Sequence, residues 1–266
     1  MDSAAFLGIE PTGITGQWAM VVPARLCTGG NFLFGGAGLG AAVSAMEQLT
    51  GRRCVWATGQ YLSYARKDET LLIDVTLAVV GHQITQARAV CHVGDREILT
   101  VNAALGEHEF AHAGQFSTMP VVPPPHELLA REHRHPIENT IHERLEERIV
   151  IGRTLEQLDG TLSDGRTVMW ARIPDVLTDI DTVTLAVLGD FVPMGIGQAL
   201  GVRGGGNSLD NTLRIVRLVP TKWVLLDIQI HAVARGFGHG SVTMFAEDGT
   251  LLATASQSCI ARVWKE

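Results

Sequence analysis

The chain has 266 residues, of which 46% are hydrophobic and 18% charged, and a formal net charge of −7 at pH 7. This size and composition are typical of a globular protein with one large or two ordinary domains. The negative charge and the scattered basic residues argue against a nucleic-acid-binding protein, and no apolar run approaches the roughly 18 residues that a membrane-spanning helix needs.

The chain begins with MDSAAFLGIEP, which has an acid where a signal peptide carries positive charge. Its cysteines have no CxxC spacing and lie in apolar contexts, which indicates buried free thiols in a reducing compartment and gives little support to a cysteine nucleophile. We therefore expect a cytoplasmic protein with no membrane partner. The four cysteines are Cys27, Cys54, Cys91 and Cys259.

The first half reads as a strand, a buried helix and a run of strands. A strand is predicted over Gly16–Leu26, and a helix begins near Gly35 and ends at Thr50, before Gly51. This helix is nearly all apolar and dense in glycine and alanine, which places it in a core rather than on a surface. The strands predicted after it are Cys54–Tyr64, Thr70–Val80, Gln83–Val93 and Glu97–Leu105.

The alternation typical of strands ends before residues 108–136. This segment is rich in histidine, proline and charge and includes three consecutive prolines. We interpret this segment as a linker that keeps two domains at a fixed spacing. The second half then restarts with strands near Leu145–Gln157 and Thr167–Ile173. A second apolar helix follows within Asp181–Gly201, kinked or started by Pro193.

The two halves are related by an internal repeat, because shifting the sequence by 153 positions lays Leu71–Ala104 over Val224–Gln257 without a gap. TLLIDVTLAVV and WVLLDIQIHAV both alternate with period two, and each precedes a longer amphipathic run, a polar turn and another apolar run. Each half is thus a small antiparallel sheet wrapped around a central, mostly apolar helix, which is the hotdog architecture. We predict an α+β double hotdog with two such sheets: residues 1–107, the linker 108–136, and residues 137–266. Edgewise pairing of the two sheets would hide their edges.

Five motifs in one order resemble the type II (TesB-like) acyl-CoA thioesterases, whose chains are double hotdogs. The motifs are FGG at Phe34–Gly36, DFVP at Asp190–Pro193, SLDNTLRI at Ser208–Ile215, ARGF at Ala234–Phe237 and DGTLLATASQ at Asp248–Gln257. The resemblance implies hydrolysis of an acyl-CoA substrate in lipid metabolism, with no metal or redox cofactor. It also favours a homodimer or a larger homo-oligomer.

The same resemblance implies site residues. The catalytic acid of the family matches Asp210 and its glutamine matches Gln257, while a small hydroxyl residue, commonly Thr, is replaced here by Gln229. The first half lacks the acid and the glutamine, which favours a functional role for the pair over a structural one. The positions that correspond to Asp210, Gln257 and Gln229 in the first half are Ala57, Ala104 and Thr76.

Thioester hydrolysis needs an attacking water, a base for its proton and donors for the oxyanion. We predict Asp210 as the base and Gln257 as the residue that fixes the water. The backbone N–H groups of Gly35 and Gly36 would face the oxyanion, aided by the helix dipole. We expect Asp210, Gln229 and Gln257 to converge on this helix terminus. Asp210 could instead be a turn acid, and the two glycines could serve helix packing alone.

Other motifs are weaker. Gly36-x-Gly38-x-x-Ala41 fits a loose dinucleotide pattern, but no strand with an acid about 20 residues on completes it. No GxSxG occurs, which argues against a serine hydrolase. A hotdog hydratase would need a histidine five positions after Asp210, where Ile215 stands. The linker histidines fit a solvated loop better than a metal site; they are His126, His133 and His135.

The alternative function is a non-catalytic acyl-binding or CoA-binding module, in which the departure at Gln229 marks lost chemistry. In either case CoA phosphates would need basic partners, and the sequence leaves three candidates open: Arg153, Arg203 and Arg235.

Overall fold

The computed structural model describes residues 1–133, 137–176 and 179–264. The helices and strands of the first half are α1 (Ser3–Leu7), β1 (Glu10–Pro11), β2 (Gln17–Val21), α2 (Gly35–Thr50), β3 (Cys54–Tyr61), β4 (Thr70–Val80), β5 (Ile84–Val93) and β6 (Arg96–Gly106). Those of the second half are β7 (Glu146–Ile151), β8 (Arg166–Arg172), α3 (Thr182–Leu188), α4 (Val192–Leu200), β9 (Gly204–Ser208), β10 (Asp210–Ile215), β11 (Val224–Ala234), β12 (Phe237–Ala246) and β13 (Leu251–Val263).

All strands in the described ranges belong to one antiparallel sheet, in the order β1-β2-β4-β5-β6-β3-β10-β13-β12-β11-β8-β7, with β9 also paired to β13. The two halves repeat one pattern, β2-β4-β5-β6-β3 and β8-β11-β12-β13-β10. They meet where β3 pairs with β10. The two predicted sheets are therefore joined into one by the edgewise pairing expected from the sequence, which satisfies backbone groups that an open edge would leave unpaired.

The junction between the halves has approximate two-fold symmetry. Thr58 on β3 lies opposite Thr212 on β10, and their hydroxyl oxygens are 2.7 Å apart. Adding 153 to the residue numbers at the ends of β5 gives the ends of β12. Adding 153 to those of β4 gives the ends of β11 to within one residue. The repeat seen in the sequence is therefore a repeat of structure.

Helix α2 has the predicted limits and lies in the core between the first half of the sheet and α3. Its C-terminus is capped by Gly51, whose φ of 64° lies in the left-handed region that glycine adopts readily. Small residues allow α3 to approach closely, because a Cβ on Gly36 would lie only 2.7 Å from the carbonyl oxygen of Ala186.

The second helix differs from the prediction, because the expected single helix is broken into α3 and α4. Pro193 lies in the first turn of α4, where its missing N–H costs no hydrogen bond, so it starts a helix rather than kinking one. Helix α3 packs on α2, and α4 packs on β9 and on β11 to β13. Asp190 lies in the break between them.

One stretch, Thr182–Leu200, is after all long and apolar enough to span a membrane by length and composition alone. It comprises α3 and α4 and is mostly buried inside the protein. Its apolar character is explained by its place in the core, against the sheet and α2.

The proline-rich segment covers the outer face of the second half of the sheet. Trp170 donates its indole N–H to the carbonyl oxygen of Pro123 at 2.9 Å. Met119, Val122 and Leu128 pack on a small second core that contains Trp170 and Phe245. Residues 119–133 thus form a strap that is packed on the sheet at several points.

Candidate functional site

Asp190 is the centre of a buried polar cluster between the two halves. One carboxylate oxygen, Oδ2, accepts a 2.6 Å hydrogen bond from the N–H of Gly36 at the start of α2. The other, Oδ1, accepts from the side-chain amide of Gln257 and, at 3.4 Å, from the hydroxyl of Ser208. An acid from the second half therefore caps the central helix of the first half.

The environment of Asp190 tunes its acidity. Burial raises the pKa of this carboxyl, while hydrogen bonds from Gln257, Gly36 and Ser208 lower it, and the pKa lies at about 6. A carboxyl group with this pKa is mostly ionised at neutral pH and can still accept and return a proton. It has the acidity that a general base working near pH 7 requires.

Gln257 connects Asp190 to the second helix terminus. Its Nε2 also donates to the Ser208 hydroxyl at 3.0 Å, and its Oε1 accepts from the N–H of Val192 in the first turn of α4, at 3.3 Å. Because both ends of the amide are engaged, the side chain is held in one orientation. The first turns of α2 and α4 thus meet at the Asp190 cluster.

This cluster borders a large cavity of about 1100 Å³ that lies between the two halves. Its lining combines apolar side chains with glycines and with arginine side chains. Its lining includes Gly35, Tyr61, Asp190, Ser208, Arg153 and Arg262.

Asp210 is not part of this cluster. Its Oδ1 accepts a 2.7 Å hydrogen bond from the N–H of Ser258, and it borders a separate, shallow polar cavity on the outer face of the sheet. The predicted convergence of Asp210 with Gln257 is therefore wrong.

An extra residue in the strand explains the outward position of Asp210. Ser208 lies opposite Cys259, whereas Thr212 lies opposite Ser256, so the register shifts by one between them. Such a bulge turns the following side chains to the other face of the sheet. Ser208 consequently faces the core and Asp210 faces outward.

Gln229 also lies away from the cluster, so its predicted convergence is wrong as well. Its Nε2 donates to the carbonyl oxygens of Asp164 and Ile230, both at 3.1 Å, on the outer face of β11. Its neighbours Ile228 and Ile230 are the residues that face the core. The hydroxyl group in the cluster belongs to Ser208.

Gly35 and Gly36 lie at the cluster, as expected, but their N–H groups differ in whether they already have an acceptor. The N–H of Gly36 holds Asp190, so it is not available to an oxyanion. The N–H of Gly35 has no acceptor in the described part of the chain and lies at the cavity wall. A Cβ on Gly35 would lie 2.7 Å from Oδ2 of Asp190, so only glycine leaves room there.

Comparison with known protein families identifies the family of this chain. Residues 119–261 match the family model of the acyl-CoA thioesterase C-terminal domain. The chain belongs to the acyl-CoA thioesterase family. The resemblance inferred from the five sequence motifs is thereby confirmed, and with it the expectation of a thioester hydrolase at the level of the family.

Solved structures extend the likeness over the whole chain. A Novosphingobium aromaticivorans protein provisionally described as a thioesterase is 30% identical, with 97% of this chain and 99% of that chain covered and a TM-score of 0.82. Acyl-CoA thioesterase II from Mycobacterium marinum is 19% identical, with 99% of each chain covered and a TM-score of 0.75. A hotdog-fold protein of unknown function from Alicyclobacillus acidocaldarius is 18% identical, with 99% and 98% covered and a TM-score of 0.85. A search of curated proteins found no match.

Of the arginines considered for the CoA phosphates, two line the cavity of this thioesterase-family chain. Arg153 and Arg203 are at its wall, and so is Arg262, which the sequence did not single out. Arg235 lies at the turn between β11 and β12, with a positive φ of 53°, and does not line the cavity. Arg262 is held by its Nε hydrogen bond to Asn207, at 3.0 Å.

Two histidines and one glutamate lie close together where the strap meets β7. Within the described ranges, His133, His142 and Glu147 place one possible metal ligand each within 4.8 Å of one another. Two imidazoles and a carboxylate could hold a divalent ion. However, Arg131 already donates to Oε2 of Glu147 at 2.6 Å, so we interpret the group as an ionic anchor for the strap. His126 is exposed, and His135 lies outside the described residues.

The four cysteines are free and buried, as predicted. Burial raises the pKa of Cys27 to about 11 and those of Cys54, Cys91 and Cys259 to about 12. The thiols are therefore protonated at neutral pH, and none is an activated nucleophile.

Asp190 is a candidate functional residue that was not predicted from the sequence, although it opens the DFVP motif. The available signal was its position: it is the one ionisable residue within the apolar stretch Thr182–Leu200. A buried carboxylate is costly and is kept mainly where it has a task.

Proposed function

We propose that this chain hydrolyses acyl-CoA thioesters and that Asp190 is the general base. The observation that carries the proposal is the Asp190 carboxylate itself, which is buried at the α2 terminus, fixed by Gly36 and Gln257, and open to a cavity large enough for an acyl chain and a pantetheine arm. Family membership supports the reaction class, and the geometry supports the choice of acid.

In the proposed reaction, a water molecule beside Asp190 attacks the thioester carbonyl carbon while the carboxylate accepts its proton. The electron pair of the C=O π bond moves to oxygen, which gives a tetrahedral oxyanion. When the C=O bond re-forms, the C–S bond breaks, and Asp190 returns the proton to the leaving CoA sulfur. The products are the free acid and CoA, and Asp190 is again a carboxylate.

The oxyanion needs a donor that is not already engaged. The Gly35 N–H meets this condition, and it lies at the positive end of α2, whose dipole favours negative charge at this place. Gln257 and Ser208 orient the carboxylate, and the Ser208 hydroxyl can also hold the attacking water.

The mixed lining of the cavity suggests how the substrate lies. The phosphates of CoA would lie near Arg153, Arg203 and Arg262, and the acyl chain would lie near Leu33 and Leu99. A cytoplasmic location and a homodimeric or larger assembly belong to the same proposal, and cell fractionation and light scattering would test them.

A matched pair of variants tests the assignment. Asp190→Asn should lower kcat by about 10²- to 10⁴-fold in a thiol-release assay, because it removes the base. Asp210→Asn, which changes an acid of the outer face and keeps the acceptor for Ser258, should leave kcat unchanged. Full activity of Asp190→Asn would refute the proposal.

The same assay addresses the alternative of a binding module. A binder would be stabilised against heat by acyl-CoA without releasing thiol from any of acetyl-, hexanoyl-, decanoyl- and palmitoyl-CoA. That result for the unmodified protein would replace hydrolysis by binding as the function.

A further inference from the structure

The hydroxyl of Tyr61 is a buried polar group that the reaction described above does not use. Tyr61 is the last residue of β3, and its N–H donates to the carbonyl oxygen of Leu209 at 2.9 Å, which fixes the residue at the junction of the two halves. Its hydroxyl oxygen is shielded from solvent and has no hydrogen-bond partner within the described ranges. Burying an unpaired hydroxyl is unfavourable, so its retention calls for a partner that arrives later.

The position of this hydroxyl indicates what that partner is. A Cβ built on Gly35 would lie 3.1 Å from the Tyr61 hydroxyl oxygen and 2.7 Å from Oδ2 of Asp190. The hydroxyl and the carboxylate therefore flank the same small space beside the first residue of α2. All three residues line the cavity, so this space lies at the cavity wall.

The surroundings keep Tyr61 in its donor form. Burial raises the pKa of the phenol well above its ordinary value, and the negative charges of Asp190 and Asp210 raise it further. The side-chain amide of Asn211 lies next to the hydroxyl and acts in the opposite direction, lowering this pKa, but the two groups do not reach hydrogen-bonding geometry. A proton on Tyr61 is thus available for donation but is not lost at neutral pH.

We propose that Tyr61 is a catalytic residue whose hydroxyl donates a hydrogen bond to the thioester carbonyl oxygen and to the oxyanion formed from it. It would act together with the Gly35 N–H, one donor from the end of β3 and one from the start of α2. Tyr61 keeps its proton throughout, so the proton balance between water, Asp190 and the CoA sulfur is unchanged. The proposal rests on the proposed function, because it requires the carbonyl carbon to lie beside Asp190.

The first test is Tyr61→Phe, which removes one oxygen atom. We expect kcat to fall on the order of 10²-fold with little change in KM, as when one oxyanion donor is lost. The melting temperature should stay the same or rise, because the variant no longer buries an unpaired hydroxyl. Tyr64→Phe is the matched control: this second tyrosine is half exposed and its hydroxyl accepts from Asn207 at 2.9 Å, so kcat should not change.

A binding measurement separates a contact to the carbonyl from a general effect. Two non-hydrolysable analogues of the best substrate are compared by calorimetry: a ketone with methylene in place of sulfur, and a thioether without the carbonyl. Tyr61→Phe should lose about tenfold in affinity for the ketone, which corresponds to one hydrogen bond, and nothing for the thioether. Equal losses for both analogues would overturn the proposal.

The activities of Asp190→Asn and Tyr61→Phe test the role of Tyr61 and the role of Asp190 separately. If Asp190→Asn is inactive while Tyr61→Phe keeps the full kcat, only the role of Tyr61 is refuted. If Asp190→Asn keeps full activity, the proposed function fails and the role of Tyr61 fails with it.

Discussion

The carboxylate of Asp190 and the N–H of Gly36 are joined by a 2.6 Å hydrogen bond across a sequence separation of 154 residues. Asp190 belongs to the second half of the chain and Gly36 to the first, so the bond forms only when the halves assemble. The first copy of the repeat has Ala37 at the position of Asp190, and no carboxylate there can cap α4 in return. Within the residues that the structure describes, the duplicated fold therefore has one site of this kind, and its parts come from both copies.

The pH dependence of activity should report Asp190. Since the pKa of this carboxyl is about 6 and the carboxylate is the proposed base, kcat/KM should be level above pH 7. Below pH 6 it should fall, approaching tenfold for each pH unit, because the base becomes protonated. Thiol-release rates between pH 4.5 and 8 check this. Ser208→Ala, which removes a donor to the carboxylate, should move the falling limb to higher pH, and a limb that moved to lower pH would contradict the account.

The raised pKa of Asp190 also makes the stability of the folded protein depend on pH. The direction is opposite to that of a carboxyl group whose pKa is lowered by folding. The folded-state pKa of about 6 exceeds the ordinary value of 3.8, so the folded protein binds the proton more tightly than the unfolded chain. This contribution to stability is fully present below about pH 4 and is lost as the pH rises through 6. At pH 7 the charged carboxylate costs roughly 3 kcal/mol, reduced by any rearrangement of its partners.

Asp190→Asn should consequently be more stable than the unmodified protein at pH 7, by roughly 1–3 kcal/mol, and the advantage should shrink toward pH 4. Urea unfolding at several pH values measures the difference. A variant less stable at pH 7 would show that the hydrogen bonds of the carboxylate outweigh the cost of burying it.

Two glycines of α2 offer a matched pair for testing how closely the helices pack. A Cβ on Gly36 would lie 2.7 Å from the carbonyl oxygen of Ala186 and 2.9 Å from Cα of Val187, which are backbone atoms that cannot move aside cheaply. Gly36→Ala should therefore destabilise the protein by about 1–3 kcal/mol or more.

Gly38→Ala is the control in the same helix. Its Cβ would meet only the ends of the Leu33 and Leu99 side chains, both at an ordinary 3.5 Å. Because alanine favours helix over glycine, this variant should be neutral or up to about 1 kcal/mol more stable. Guanidinium unfolding followed by circular dichroism compares the two, and an equal loss in both would contradict close packing as the cause.

Periodicity and repeats predicted most of the fold, because α2, β4 and the offset between halves depend on patterns that extend over ten or more residues. The position of the site residues depends on irregularities of one or a few residues. A one-residue bulge before Asp210 reverses which side chains face the core, and no periodic pattern reveals a bulge in advance. The break at Asp190 was hidden because the flanking residues are apolar enough for one continuous helix. Gln257 was placed correctly since it follows the alternation of β13 without interruption.

The ionic anchor formed by Arg131, His133, His142 and Glu147 gives the last prediction. Burial raises the pKa of Glu147, but Arg131 and the two histidines outweigh burial, and the pKa falls to about 2. The ion pairs therefore contribute stability that is present above the ordinary pKa of 4.5 and is lost as the pH falls toward 2. Glu147 lies on β7, whereas Arg131 and His133 belong to the strap, so this stability holds the strap to the sheet.

Glu147→Gln should destabilise the protein at pH 7 by about 3 kcal/mol, because it leaves the largely buried Arg131 without its charged partner. Its neighbour on the same strand provides the control: Glu146 forms a two-bond pair with Arg172 in a more exposed place, so Glu146→Gln should cost less than about 1 kcal/mol. The loss in Glu147→Gln should diminish as the pH falls below 4.5, and limited proteolysis should cut within the strap before the sheet unfolds. Equal effects of the two substitutions would show that the strap is held by its apolar contacts to the second core, and that Arg131 adds nothing.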